Sequence, residues 1–537
     1  MARTADPLPV EDALPDLRRA LAHAGAAVLQ APPGAGKTTR VPLALIDEPW
    51  LAGRRIVMLE PRRLAATAAA ARMAETSSDT VGGLVGYRIR HDTRVGPRTR
   101  VEVVTEGVLT RMLQKDPALE TTGLVIFDEF HERSLHADLG LALTLQSRAI
   151  LRSDLRLLVM SATLDGGPVA ELLGQVPIVT SEGRHHPVET RYTPARTGTR
   201  VEAAVATAVR TALSEEQGDV LAFLPGAAEI RRTSAMLADV AADVVPLHGT
   251  LSQAAQRKAI RASATGQRKV VLASAIAETS LTIDGIRVVV DGGWSRVPRY
   301  SPRSGMTRLE TVRVTRASAD QRRGRAGRQA PGVCYRIWSP AEDASLLPSN
   351  TPEILATDLA PLALELAMAG VADPADLAWL DPPPAAALAA ARTLLKQLGA
   401  LGPEGRISEH GRRIGRFALH PRLAHMVLRG RQLGAGALAC ELAALLTERD
   451  LLGRSDSAPD PDMGLRLDIL RGAAQRAAVD QEALRRVRAE ARVCRTSLRE
   501  SACRPVSHIG TSATRMARNS SSMPRSKPSS GSAPDRM

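Results

Sequence analysis

Ala26-Ala-Val-Leu-Gln-Ala-Pro-Pro-Gly-Ala-Gly-Lys-Thr-Thr39 reads as a short apolar strand, a Pro/Gly turn and the opening of a helix. Gly34 and Gly36 let backbone N–H groups turn toward a common point, and the helix N-terminus that begins there adds partial positive charge. Lys37 and Thr38 then stand at the spacing of a phosphate-binding loop, the Lys to reach terminal phosphates and the Thr hydroxyl to ligate Mg²⁺. Ala31 occupies the first position of that pattern, where Gly is usual.

Outward from this loop, the same alternation of strand and helix continues. The apolar runs are AAVLQA (26–31), RIVMLEP (55–61), VEVVTEG (101–107), LVIFDEF (124–130) and RLLVMSAT (156–163). A second series follows: DVLAFLPG (219–226), KVVLASA (269–275), RVVVDGG (287–293) and GVCYRIWS (332–339). Runs of this length with helical stretches between them predict buried parallel strands. The polar stretch from Glu182 to Arg200 is expected to separate them into two α/β domains in tandem.

The run ending Asp128-Glu129 places two carboxylates at the C-terminal edge of a buried strand, where open α/β sheets bind ligands. Asp128 suits a metal shell, and Glu129 suits activation of an attacking water, a contribution of ~10²–10⁴-fold. Gln321-Arg-Arg-Gly-Arg-Ala-Gly-Arg328 lies in the second series. Arginines supplied to a γ-phosphate accelerate its transfer by ~10³–10⁵. Arg325 and Arg328 are expected to share one helix face.

The chain has 537 residues, enough for several cores, and a net charge of +14. That charge fits a polyanionic partner, or equally a general Arg bias. Aromatics are 2% against 44% hydrophobic, so Ala and aliphatic side chains must fill the cores. The four cysteines form no C-x-x-C pair, which argues against zinc. The absence of a leader pattern and of a 20-residue apolar stretch predicts a soluble cytoplasmic protein.

After Ser339 the strand pattern stops. Asp373 to Leu401 reads as helix, Pro break, helix; 403–419 as a small hairpin and a helix; 420–450 as a helical pair joined at Gly; and a basic helix runs to about Arg495. Beyond Leu498 there is no Leu and no aromatic residue. The Ser/Pro/Arg-rich end is expected to be disordered, and it reads either as a natural basic tail or as the product of a frame shift near residue 495.

Together these residues resemble the DEAH-box helicases of superfamily 2, in particular their bacterial HrpB-type group. The likeness covers roughly residues 8–490 in family order: APPGAGKTT, LEPRRLAA (59–66), TEGVLTR (105–111), DEFH (128–131), SAT (161–163), SAIAETSLTIDG (274–285) and QRRGRAGR (321–328). Phe130 stands where most of the family has Ala. The resemblance implies an α/β fold of two tandem RecA-like domains, 1–185 and 186–345. It further implies a mainly helical region made of a winged helix (346–419) and a helical bundle (420–495), before a disordered tail at 496–537.

The resemblance also implies roles. Gly34, Ala35, Gly36, Lys37, Thr38 and Thr39 would hold the phosphates of ATP or another nucleoside triphosphate, with Thr38 and Asp128 on Mg²⁺. Glu129 would be the base, Gln321 would position the water, and Arg325 and Arg328 would meet the γ-phosphate. His131, Ser161 and Thr163 would couple hydrolysis to movement. Arg72 and Trp294 would sandwich the base, without base-edge readout. Arg62, Arg63, Thr105, Arg111 and Thr282 would hold the backbone of a single strand, RNA rather than DNA. Tyr300 to Thr315 falls where the family carries a β-hairpin. The leading expectation is a monomeric 3′→5′ helicase. A nucleic-acid-stimulated triphosphatase without processive unwinding, and an RNA-binding clamp, are the alternatives.

Overall fold

Val, Ile and Leu in unbroken runs are buried on both faces when strands lie side by side in parallel, and the protein uses them so. The structure, a computed structural model, describes residues 8–90, 92–162, 166–183, 186–251, 253–263, 266–278, 283–302, 304–452, 460–473 and 479–503. The first sheet contains β1 (Ala26–Gln30), β2 (Arg55–Leu59), β3 (Val85–Ile89), β4 (Asp92–Arg94), β5 (Val101–Val104), β6 (Thr122–Phe127), β7 (Arg156–Ser161) and β8 (Ile178–Thr180). Their order is β4-β3-β5-β2-β6-β7-β1-β8, and only the β3–β4 pair is antiparallel. The second sheet contains β9 (Val188–Tyr192), β10 (Asp219–Phe223), β11 (Asp243–Leu247), β12 (Lys269–Ala273), β13 (Ile286–Asp291) and, after a hairpin, β16 (Gly332–Arg336). Its order is β11-β12-β10-β13-β16-β9, all parallel. The hairpin pairs β14 (Trp294–Ser301) with β15 (Met306–Arg313). It begins six residues earlier than the stretch from Tyr300 that suggested it.

All nine apolar runs become strands. The stretch 182–200 is not only a separator, because Val188–Tyr192 pairs with β16 at the edge of the second sheet. Short edge strands of mixed polarity such as β4 and β8 carry little periodic signal, and the sequence did not reveal them. The scarcity of aromatics is met by close packing. The helix Arg63–Thr76 lays Ala65, Ala66, Ala69, Ala70 and Ala74 inward, and small side chains let a helix approach its sheet closely.

The described residues form two compact units. One holds both sheets and runs to Arg148, then Asp154–Leu359 and Ala375–Leu388. The other is helical. In the stretch 373–401 only a 3-10 turn, Pro374–Asp376, precedes the prolines, and the helix is Ala385–Gln397. Too few residues lie before Pro382 to offset helix nucleation. Leu401 and Ile407 make an antiparallel bridge before the helix Glu409–Gly415. The helices Pro421–Gln432 and Gly436–Thr447 join through left-handed Gly434 (φ +76°). The last helix, Gln481–Cys503, continues past Arg495 because buried Val487, Ala491, Cys494 and Leu498 keep one apolar face going. The expected disordered tail, 496–537, is corrected at its start, where 496–503 belong to this helix; its remainder, 504–537, lies outside the described residues.

Candidate active site

The site is built on strand ends. Parallel pairing sets Gln30 beside Ser161 and Leu59 beside Phe127, so the residues after β1, β2, β6 and β7 emerge along one edge of the first sheet. The Ala31 N–H donates to Ser161 O (3.0 Å) and the Asp128 N–H to Leu59 O (3.0 Å). The loop leaves β1 and turns through Gly34 (φ +89°) and Gly36 (φ +94°) into the helix Lys37–Ala44. Gly36 is needed twice: its left-handed backbone disfavours a side chain, and a Cβ there would lie 2.7 Å from Leu8. Ala35 is buried and its carbonyl accepts from the Val10 N–H (3.1 Å), which ties the loop to the first helix. Thr39 continues the helix, its N–H bonded to Gly36 O (3.2 Å).

Two contacts join the loop to the acidic strand end. Lys37 Nζ donates to Glu129 Oε1 at 2.9 Å, and Thr38 Oγ1 donates to Asp128 Oδ2 at 2.5 Å. Lys37, Asp128 and Glu129 are 4%, 2% and 7% exposed. Glu129 has a left-handed backbone (φ +50°), a rare conformation for a residue with a side chain. Burial would raise its carboxyl, but Lys37, with His131 and Arg325 adding, holds it down to about 2. Burial raises Asp128 to about 6 despite Lys37. His131 stands between strands: Nε2 lies 3.4 Å from Glu129 Oε2, and Nδ1 accepts from the Ala162 N–H at 3.4 Å. Burial pushes the ring's pKa down, which favours the neutral imidazole. It connects Glu129 to the end of β7, where Ser161 is buried.

Glu60, after β2, completes the acidic group. It is 2% exposed, its Oε2 has no hydrogen-bond partner among the described residues, and burial with Asp128 and Glu129 beside it pushes its carboxyl well up. Its signal is local, because RIVMLEP carries a buried acid just after its strand, as LVIFDEF does. The Thr38 hydroxyl and the Asp128 carboxylate, which meet one another here, are hard oxygen donors. That set fits a small divalent cation.

The second sheet contributes from the helix Arg316–Gly324 and the turn that follows. Gln321 lies on the helix. Arg325 and Arg328 do not share its face, because the helix ends at Gly324, a poor helix former. Arg325 is buried in the turn and its Nε donates to Glu278 O at 3.0 Å. Its charge reaches Glu129, as does that of Arg328. Burial pushes Arg325 well down and Arg328 to about 10.

Arg322 was not singled out, yet it anchors this segment. It is fully buried, with Nε donating to Glu278 Oε1 (2.8 Å) and Nη1 to Asp291 Oδ1 (2.7 Å), over the Phe223 ring at 4.8 Å. Helical spacing from buried Ser318 and Ala319 was the available signal.

The remaining expected residues are spread more widely. Arg72 pairs with Glu75 on an exposed helix face (3.4 Å), whereas Trp294 stacks with Arg313 at 5.1 Å, so neither engages the other here. Arg62 reaches the second α/β region, donating to Ile276 O at 3.2 Å, and pairs with Glu132 at 3.3 Å. Arg63 opens the helix Arg63–Thr76, Thr105 precedes the helix Glu106–Lys115, and Arg111 lies on it. Thr163 and Thr282 lie outside the described residues.

A phosphate loop faces an Asp-Glu pair on one sheet, with an arginine turn carried by a second, and by the family matches over both sheets the chain belongs to the DEAD/DEAH box helicases. The DEAD/DEAH box helicase family model matches residues 14–172, and that of the helicase conserved C-terminal domain matches 203–330. The chain is 50% identical over 452 residues to the ATP-dependent RNA helicase HrpB of Escherichia coli (strain K12), covering 84% of this chain and 56% of that protein. It is 35% identical over 438 residues to the pre-mRNA-splicing factor ATP-dependent RNA helicase prp22 of Schizosaccharomyces pombe, covering 80% of this chain and 37% of that one. The chain therefore spans about half the length of the first relative and about a third of the second. The crystal structure of the Escherichia coli DEAH/RHA helicase HrpB superposes with a TM-score of 0.81 at 45% identity, over 92% of this chain and 60% of that one.

Proposed function

We propose that this protein is an ATP-dependent RNA helicase motor that hydrolyses ATP at the loop Ala31–Thr39 and moves 3′→5′ along a single strand. The observation that carries the reading is the meeting of Lys37 and Thr38 with Glu129 and Asp128, with the charge of Arg325 reaching Glu129. Thr38 and Asp128 would hold Mg²⁺, whose chemistry is to neutralise phosphate charge. Gly34, Gly36 and the N–H groups of Ala35, Lys37, Thr38 and Thr39 would cradle the phosphates.

Lys37 holds Glu129 too acidic to be an effective base. Once Lys37 is drawn to a phosphate, the carboxylate is released and its basicity rises. Substrate binding and arming of the base are then one event. Glu129 takes the proton, Gln321 orients the water, and Arg325 and Arg328 stabilise the departing charge. His131 and Ser161 carry the change toward the end of β7. Arg72 and Trp294 would close on the base, so several nucleotides would be accepted. Arg62, Arg63, Thr105 and Arg111 would bind the strand's backbone, with a salt-sensitive affinity. The first domain would end near residue 185 and the second near 345, each some way beyond the matched spans 14–172 and 203–330. No helix among the described residues is long and apolar enough to cross a membrane, and the cytoplasm is the proposed location.

Steady-state hydrolysis against a panel of single-stranded and duplex RNA and DNA tests the reading. RNA-stimulated turnover is expected, with unwinding of duplexes that carry a 3′ overhang. Glu129→Gln should bind nucleotide and lose turnover by ~10²–10⁴-fold. A chain that binds RNA without turnover would be a clamp, and one that turns over without unwinding a remodeller.

A further inference from the structure

The turn Glu129–Arg133 is a short 3-10 helix, Phe130–Glu132, flanked by two left-handed residues, Glu129 and Arg133, each at φ +50°. Side-chain-bearing residues hold this conformation only where surroundings impose it, at ~1–3 kcal/mol each. Lys37 and His131 hold the Glu129 end. Arg133 is held by other contacts. Its Nε and Nη2 donate to Asp138 (3.1 and 3.2 Å), and Nη2 also donates to Asp381 Oδ2 (2.6 Å). Its guanidinium lies 5.8 Å from the centroid of Phe130, which itself packs edge-on against Phe127 at 6.2 Å. Phe130 thus has a definite place: it fills a buried slot beneath Arg133.

Glu353 staples the same turn from outside. Its N–H donates to Arg133 O (3.0 Å), and its carboxylate accepts from the Leu135 N–H (2.8 Å). Glu353 belongs to a strap, residues 347–356, that also grips the arginine-bearing helix. The Arg316 and Ala317 N–H groups donate to Leu347 O (2.8 Å) and Pro348 O (3.0 Å), and Thr315 Oγ1 donates to Asn350 Oδ1 (3.1 Å). One strap therefore touches the start of the helix that carries Gln321 and the turn that carries Glu129.

We propose that Glu353 and Asp381, acting through Arg133, position the catalytic turn, and that the strap 347–356 registers this turn against the helix Arg316–Gly324. The inference rests on the hydrolysis reading above. Glu353 and Asp381 are positioning residues and meet no substrate. Displacement of a catalytic group by an ångström from a remote change lowers rate without lowering affinity.

The test compares Glu353→Ala and Asp381→Ala with Glu353→Gln, whose amide oxygen can still accept from the Leu135 N–H. In the full chain, binding of a non-hydrolysable ATP analogue gives site stoichiometry and affinity, and RNA-stimulated turnover gives kcat per bound site. Both Ala variants should bind analogue as the wild type does, with kcat lower by about tenfold to a hundredfold. Glu353→Gln should retain kcat. Asp381 is 35% exposed, so its variant keeps the test available if Glu353→Ala fails to fold. Unchanged kcat in the folded Ala variants, or an equal loss in Glu353→Gln, overturns the inference alone. A wild type without turnover overturns the hydrolysis reading and this inference with it.

Discussion

Lys37 Nζ sits 2.9 Å from Glu129 Oε1, with both side chains almost wholly shielded from water. The proposed phosphate ligand and the proposed base neutralise one another. Removing one partner of such a pair leaves an uncompensated buried charge, at a cost of roughly 3–5 kcal/mol. Lys37→Met should therefore abolish nucleotide binding and also lower stability by about that amount. Adding Glu129→Gln should restore most of the lost stability and no turnover. Denaturant unfolding of the two single variants and the double variant measures this. Losses that simply add would show that the pair is not coupled.

Much of this pair was legible in the sequence, because each half is local. The loop lies within fourteen residues, and Asp128-Glu129 ends a single apolar run. Nine strands were legible for the same reason: burial on both faces leaves an uninterrupted apolar signature. What stayed hidden depends on residues far apart in the chain. Arg133 meets Asp381 across 248 positions and Arg62 meets Ile276 across 214, and nothing local marks such partners. The arginine turn was misjudged at one residue, Gly324, which ends the helix that spacing alone would continue.

Arg322 and Arg325 lie three positions apart, with opposite expected roles. Arg322 is gripped by Glu278 and Asp291, and those carboxylates keep its guanidinium charged despite burial. Arg322→Met strands both acids and should cost about 3–5 kcal/mol, visible as a lowered thermal midpoint. Burial, with Arg328 adding, works against the charge of Arg325, so the fold tolerates that charge rather than depends on it. Arg325→Met should leave the midpoint much closer to wild type while turnover falls by ~10³ or more. Equal thermal losses in the two variants would contradict this division of roles.

Glu106 provides a pH signature apart from the nucleotide site. It lies in the first turn of the helix Glu106–Lys115, takes a hydrogen bond from Ser134 Oγ, and faces Glu353, Glu132 and Asp138. Desolvation, with those acids adding, outweighs the Ser134 bond and pushes its carboxyl up to about 8. A carboxyl raised in the fold binds its proton more tightly there than in the unfolded chain. Between the ordinary Glu range and about 8 the native state thus holds more protons, so this group's contribution to stability declines as pH rises through that window. Glu106→Gln keeps a neutral side chain at every pH. Its thermal midpoint should match the wild type near pH 5 and exceed it near pH 8, a comparison that cancels the other titrating groups common to both chains. Parallel curves across the window would mean that Glu106 ionises normally, with its charge accommodated beside Glu353.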